Sequence, residues 1–175
     1  TMEESIARHG EAIAATYNLF PILADRSWLS LDDDPNTYFL MDMVANGTPR
    51  LILSLLEARS TAVVTATMEN VPPEMHDDVV SRLTLAQVDI ERLEHSVAGL
   101  ERNDPDFGRQ VRTVVTSLSD ATRNFSKVAT DAATIHVPVA RVREAASGAL
   151  DKSYELFDLT QPHLETARTA LAGLP

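Results

Sequence analysis

The chain of 175 residues predicts an all-α protein, an up-and-down helical bundle of the four-helix type, and three observations carry that expectation. Apolar residues recur at spacings of three and four along nearly the whole length. In several stretches this becomes a seven-residue repeat held over three or four heptads, which implies helices packed at about +20°. No alternating strand pattern and no Asn-Gly hairpin signal competes with it. Internal prolines should kink the long helices, and the arrangement is either one bundle or two stacked modules.

The first helix is expected over about 2–28, with Ile6, Ile13, Tyr17, Phe20 and Ala24 on its apolar side. Pro21 lies inside it and removes one ladder bond. Asp32-Asp33-Asp34-Pro35 then reads as a helix start. Asp34 is a cap residue, Pro35 occupies a position whose N–H is not needed, and the acids lie at the positive end of the helix dipole. The second helix runs from there to about 70, with Leu40, Val44, Gly47, Leu51, Leu55, Ala58, Ala62 and Thr65 on one stripe. Gly47 and Pro49 mark a kink, and Val71-Pro72-Pro73 stops it.

The third helix, about 74–102, alternates by four and three through Val79, Leu83, Ala86, Ile90, Leu93, Val97 and Leu100. Asn103-Asp104-Pro105 is again a cap followed by proline. The fourth, about 106–135, places Phe107, Val111, Val114, Leu118, Ala121, Phe125, Val128, Ala132 and Ile135 inward. The break at His136-Val137-Pro138 leads to the fifth, about 139–173. Its expected core is Val139, Ala146, Leu150, Ser153, Phe157, Thr160, Leu164, Ala167 and Leu171, with a bend at Pro162. One internal echo links Thr37-Tyr38-x-Leu40-x-Asp42 to Ser153-Tyr154-x-Leu156-x-Asp158, but the spacing to the following proline differs, which favours chance.

Composition narrows the function. The chain is 44% hydrophobic and 23% charged, so it is globular. A net charge of −11 makes nucleic acid and anionic lipid poor partners. Without cysteine there is no disulfide, thiol catalysis or zinc–thiolate site. No run of about 18 apolar residues exists to span a membrane, and no signal peptide pattern is present. Helical pattern reaches both ends, which suggests a piece cut from a longer protein, with Thr1 as a remnant.

Catalytic signatures are absent. The residues three before the five histidines are Ile6, Pro73, Arg92, Ala133 and Thr160, so no Glu-x-x-His di-iron pattern occurs. There is no His-Glu-x-x-His, phosphate-cradling glycine loop or Gly-x-Ser-x-Gly elbow. No cofactor is expected, and no enzyme activity for this piece. His95-Ser96-Val97-Ala98-Gly99 resembles the histidine phosphotransfer segment in which a histidine precedes a Lys-Gly pair. Ala98 stands at the lysine position, so a surface histidine beside Glu94 is the preferred reading. His136 reads as a loop or cap residue with a capacity to sense pH. Arg26, Tyr38, Asp42, Arg50 and Arg59 lie close to stripe positions. They are either flanking residues whose stems cover the core edge, or inward groups that hold a small polar or anionic ligand. As candidate ligand contacts we take Arg26, Tyr38, Asp42 and Arg50. Tyr38 and Asp42, one turn apart, are the better pair, for a ligand or for locking two helices together.

Ser30-Leu31-Asp32-Asp33-Asp34, Tyr38-Phe39-Leu40-Met41-Asp42, Pro49-Arg50-Leu51 and Arg59 together resemble a helical sensor domain of bacterial transmembrane receptors. Such extracytoplasmic domains occur in sensor histidine kinases, chemoreceptors and diguanylate cyclases. Ala149-Leu150 through Leu156, and Leu164 to Arg168, resemble the end of such domains before their second membrane helix. The match is specific over about 30 residues; Asn46-Gly47-Thr48 is more polar than the usual pattern, and no ligand motif of the family maps residue by residue. The resemblance implies a single periplasmic sensing domain over 1–175. It also implies a small-molecule ligand, a homodimer, and attachment to the membrane only through flanking helices. A histidine kinase is the expected parent. The alternatives are a helical protein-interaction adaptor and a phosphotransfer bundle. A domain between two membrane helices needs an even number of antiparallel legs, whereas five segments are counted. Either the joint at Pro138 does not reverse the chain, or one leg is divided between two modules.

Overall fold

The computed structural model describes residues 35–172, together with Arg8 and Ala15, which are helical. The rest of the first expected helix, Pro21 within it, the candidate Arg26, and the expected cap Asp34 with the acids before it lie outside the described residues. The elements are α1 (Pro35–Met41), a π-helical segment (Asp42–Gly47), α2 (Thr48–Thr65), α3 (Pro73–Asn103), α4 (Pro105–Thr134) and α5 (Val139–Ala172). Among the described residues there is no strand.

Helix α1, the π segment and α2 follow one another without a break, so together they form one leg. The second expected helix therefore exists, and its interruption at Gly47 and Pro49 takes a definite form. The Thr48 N–H donates to Met43 O, five residues back. Pro49 has no N–H and its ring crowds the carbonyl four residues earlier, and a widened preceding turn relieves that crowding. This leg ends at Thr65 rather than near 70. Thr67 and Met68 bond to the carbonyls of Val64 and Thr65, which tightens the last turn, and the Thr67 hydroxyl also caps Val64 O. Val71 then precedes proline, which disfavours the helical region.

At the next turn the cap expected of Asp104 is present: its carboxylate accepts from Phe107 N–H at 3.1 Å, with Pro105 opening α4. That one-residue connection demands close approach. A Cβ on Gly108 would come within 2.6 Å of the Glu101 backbone. Pro162 lies inside α5 without ending it.

Neighbours in sequence are neighbours in space, α2 on α3, α3 on α4, α4 on α5, and α5 closes the ring on α2. Cross-contacts give the directions. Ser96 meets Asp42 while Arg82 meets Glu57, so α3 runs antiparallel to the first leg. Phe107, at the start of α4, stacks on His163, near the end of α5, at 3.7 Å between ring centres. The joint at Pro138 thus reverses the chain, and four legs run from Pro35 to Ala172.

One hydrophobic cluster joins all four legs, so the described residues form one bundle rather than two stacked modules. Every expected core residue of α3 is buried, and of the first leg all but Gly47. The α4 stripe differs. Val115 and Thr122 are buried where Val114 and Ala121 were expected, and these two are only half-buried. A straight helix drifts about 20° per heptad against a strict seven-residue repeat, so neighbouring positions exchange places along it. Ile135 is 63% exposed, because the backbone turns extended there (φ −135°, ψ 158°) and Val137 takes the buried place. In α5 the expected Ala146, Leu150, Ser153, Thr160 and Leu164 are buried, joined by Val142, Ala149 and Leu156, while Val139, Phe157 and Ala167 are half-buried; the burial of Leu171 lies outside what is described.

Candidate functional site

A line of polar and charged side chains runs along the seam between the first leg and α3. Arg82, Asp89 and Ser96 stand seven residues apart, one heptad position beside the apolar stripe of α3. Each meets a group from the facing leg. Ser96 donates to the Asp42 carboxylate at 2.8 Å. Ser54 donates to Asp89 at 3.0 Å, and the Arg50 guanidinium lies 3.3 Å from the other Asp89 oxygen. Arg92 approaches that same oxygen at 3.8 Å. Arg82 bridges Glu57 at 2.7 Å and Asp78 at 2.9 Å, and Thr61 also donates to Asp78.

Asp89 is the centre of this seam. The residue is only 3% exposed, and a carboxylate at that depth is tolerable because two guanidinium groups and a hydroxyl face it. The apolar stripe conceals it, since Asp89 stands immediately before the core residue Ile90. The recurrence of polar side chains at 82, 89 and 96 is the signal that would have found it.

The structure brings two of the four candidate residues into this seam. Asp42 lies in the π segment and locks it to α3 through Ser96. Arg50 stands in the first turn of α2 and holds Asp89. Tyr38 does not join them: it is 52% exposed, with its ring edge-on to Phe39 at 5.4 Å. Arg26 is outside the described residues. Arg59 is half-buried and has no polar partner among the described residues. Phe39 packs where α3 has Gly99; a Cβ there would come within 2.3 Å of the ring, so glycine admits the aromatic.

At the α3–α4 turn, Arg112 grips Glu101 with two parallel bonds of 3.1 and 2.7 Å. The hydrogen bond from Arg112 holds the Glu101 carboxyl below its ordinary range, and the same contact raises Arg112.

Two clefts of about 280 Å³ open elsewhere, and neither is lined by Tyr38, Asp42 or Arg50. One lies between the loops after α2 and α4 and includes Glu69 and His136, which places His136 in a loop as its sequence neighbours suggest. The other runs between α3 and α4. His95 stands exposed on α3. No group of three or more metal-ligating side chains occurs among the described residues. No described helix is long and apolar enough to cross a membrane.

No family model matches this chain, and comparison with curated proteins and with solved structures likewise gives no match.

Proposed function

We propose that this chain is the extracytoplasmic signal-sensing domain of a membrane-bound bacterial signalling protein, with a sensor histidine kinase as the parent. The observation that carries the reading is that the leg bearing the resembling residues is held to α3 by discrete polar pairs, Asp42 with Ser96 and Arg50 with Asp89. Between Pro35 and Ala172 the chain makes four antiparallel passes. Phe39 against Gly99, the Asp104 turn, and Phe107 on His163 all lie at one end of the bundle. The leg that carries the resembling residues therefore starts at the end where α5 finishes.

The same leg contains the element best suited to move. A π segment holds its backbone in a wider register than the α-helix on either side. Discrete polar contacts, Asp42 with Ser96 and Arg50 with Asp89, fix its position against α3. A ligand that favours an alternative pairing along this seam shifts the leg relative to α3. The displacement then reaches the membrane as a piston or rotation. In this reading the domain works as a homodimer, and the phosphotransfer chemistry resides elsewhere in the parent.

The test is a set of topology reporters in the parent protein. Apolar segments of about 20 residues are expected on both sides of these 175 residues. Alkaline phosphatase inserted in the loop at 66–72 is expected to be active in whole cells. An inactive insertion, with full-length protein present, overturns the proposal and favours an interaction adaptor.

A further inference from the structure

We propose that the groove between α3 and α4 is a binding site for a compact organic anion with an apolar body, such as a small aromatic or branched carboxylate. The groove is open along one side and offers about 280 Å³, just under the usual range of small-molecule sites, which suits a compact ligand. Val80 and Leu83 on α3 form an apolar wall, and Val80 remains 39% exposed. Gln87, Ser126 and Thr130 supply neutral polar groups around it.

Thr122 is the observation that points to a ligand. It lines the groove, is 2% exposed, and its buried Oγ1 has no hydrogen-bond partner. Thr113, Thr116 and Thr134 of the same helix return their hydroxyls to the carbonyl four residues back, at 2.9 to 3.3 Å. Thr122 does not. A buried hydroxyl left unpaired is destabilising, so a group that accepts its proton is favoured beside it.

The sign of the ligand follows from Arg123, the only charged residue among the eight described residues that line the groove. Its guanidinium is engaged by Asp120 at 2.8 Å and by Ser119 at 3.3 Å. A guanidinium has five N–H donors, which leaves others for a carboxylate at the rim. Thr122 Oγ1 is sealed from solvent as it stands, so binding requires a turn of the Thr122 side chain about χ1 that brings the hydroxyl to the groove. One carboxylate oxygen then accepts from it, the other faces Arg123, and the apolar body lies on Val80 and Leu83. This site lies on the other side of α3 from the Asp89 seam and does not depend on the sensing reading.

The experiment is a heteronuclear NMR titration of the full 175-residue chain with phenylacetate, 4-hydroxybenzoate and isovalerate. Phenylacetamide serves as the uncharged control. At least one acid is expected to give saturable shifts with a Kd of roughly a millimolar or below, centred on Gln87, Thr122 and Ser126. Thr122→Val keeps the shape and removes the orphan hydroxyl, so its Tm is expected to equal or exceed the parent's while binding weakens about tenfold or more. Arg123→Gln is expected to abolish the preference for phenylacetate over phenylacetamide. The proposal is overturned if no acid saturates by about 20 mM. Shifts that centre outside the groove, or undiminished binding by Thr122→Val, overturn it as well.

Discussion

Replacing Arg50 and Arg92 together by methionine would leave the Asp89 carboxylate buried with Ser54 as its remaining partner. A buried charge stripped of its counter-ions is strongly unfavourable, and here the arginines are 40% and 53% exposed, which reduces the effect. The double variant is expected to lose about 2 kcal/mol in urea unfolding, and adding Asp89→Leu should restore most of it. If Asp89→Leu brings no recovery, the arginines act through their stems alone. Glu101 provides the pH-dependent counterpart. Its folded pKa is depressed by the Arg112 hydrogen bond, so its contribution is fully present above the ordinary carboxylate range and is lost as pH falls through the folded value. The Tm difference between the parent and Glu101→Gln should hold constant from neutral pH down to about pH 5 and close below about pH 4. A difference that persists unchanged into acid would show that the charge is not what Arg112 recognises.

Among the elements, the closest approaches of backbone differ in what they can tolerate. Alanine at 108 meets the Glu101 main chain, which cannot move without reopening the Asp104 turn. Alanine at 47 comes closest to the Cδ2 end of Leu93, at 2.7 Å, a side-chain tip rather than main chain. Both changes gain up to about 1 kcal/mol of helix propensity. Gly108→Ala is nevertheless expected to destabilise by about 1–3 kcal/mol, whereas Gly47→Ala should fall within about 1 kcal/mol of the parent. Chemical denaturation of the two variants side by side distinguishes them; equal effects would mean that the α3–α4 crossing yields as readily as a leucine. The π segment belongs to the same scale. Proline forces a local widening, and Asp42 occupies the widened turn where it can reach Ser96.

For the molecule as a whole, charge and topology dominate. A net charge of −11 repels itself in the compact state, while the seam pairs are partly shielded from solvent. Raising salt from about 0.01 to about 0.3 M should therefore increase Tm by a few degrees, measured by circular dichroism. A fall instead would indicate that attractive pairs outweigh the overall repulsion. The sequence by itself determined the class and most of the core, because a helix repeats every 3.6 residues and the apolar period is visible without tertiary information. It also determined the cap at Asp104, since Asp104 and Pro105 act within their own turn. Only the tertiary structure decided how Pro49 is accommodated, that Pro138 reverses the chain, and which of two neighbouring positions in α4 faces inward. It alone decided that Asp42 and Arg50 share a seam with Asp89 while Tyr38 stays in solvent. These outcomes depend on partners many tens of residues away, as Ser96 is from Asp42, and local periodicity does not encode which leg a side chain will meet.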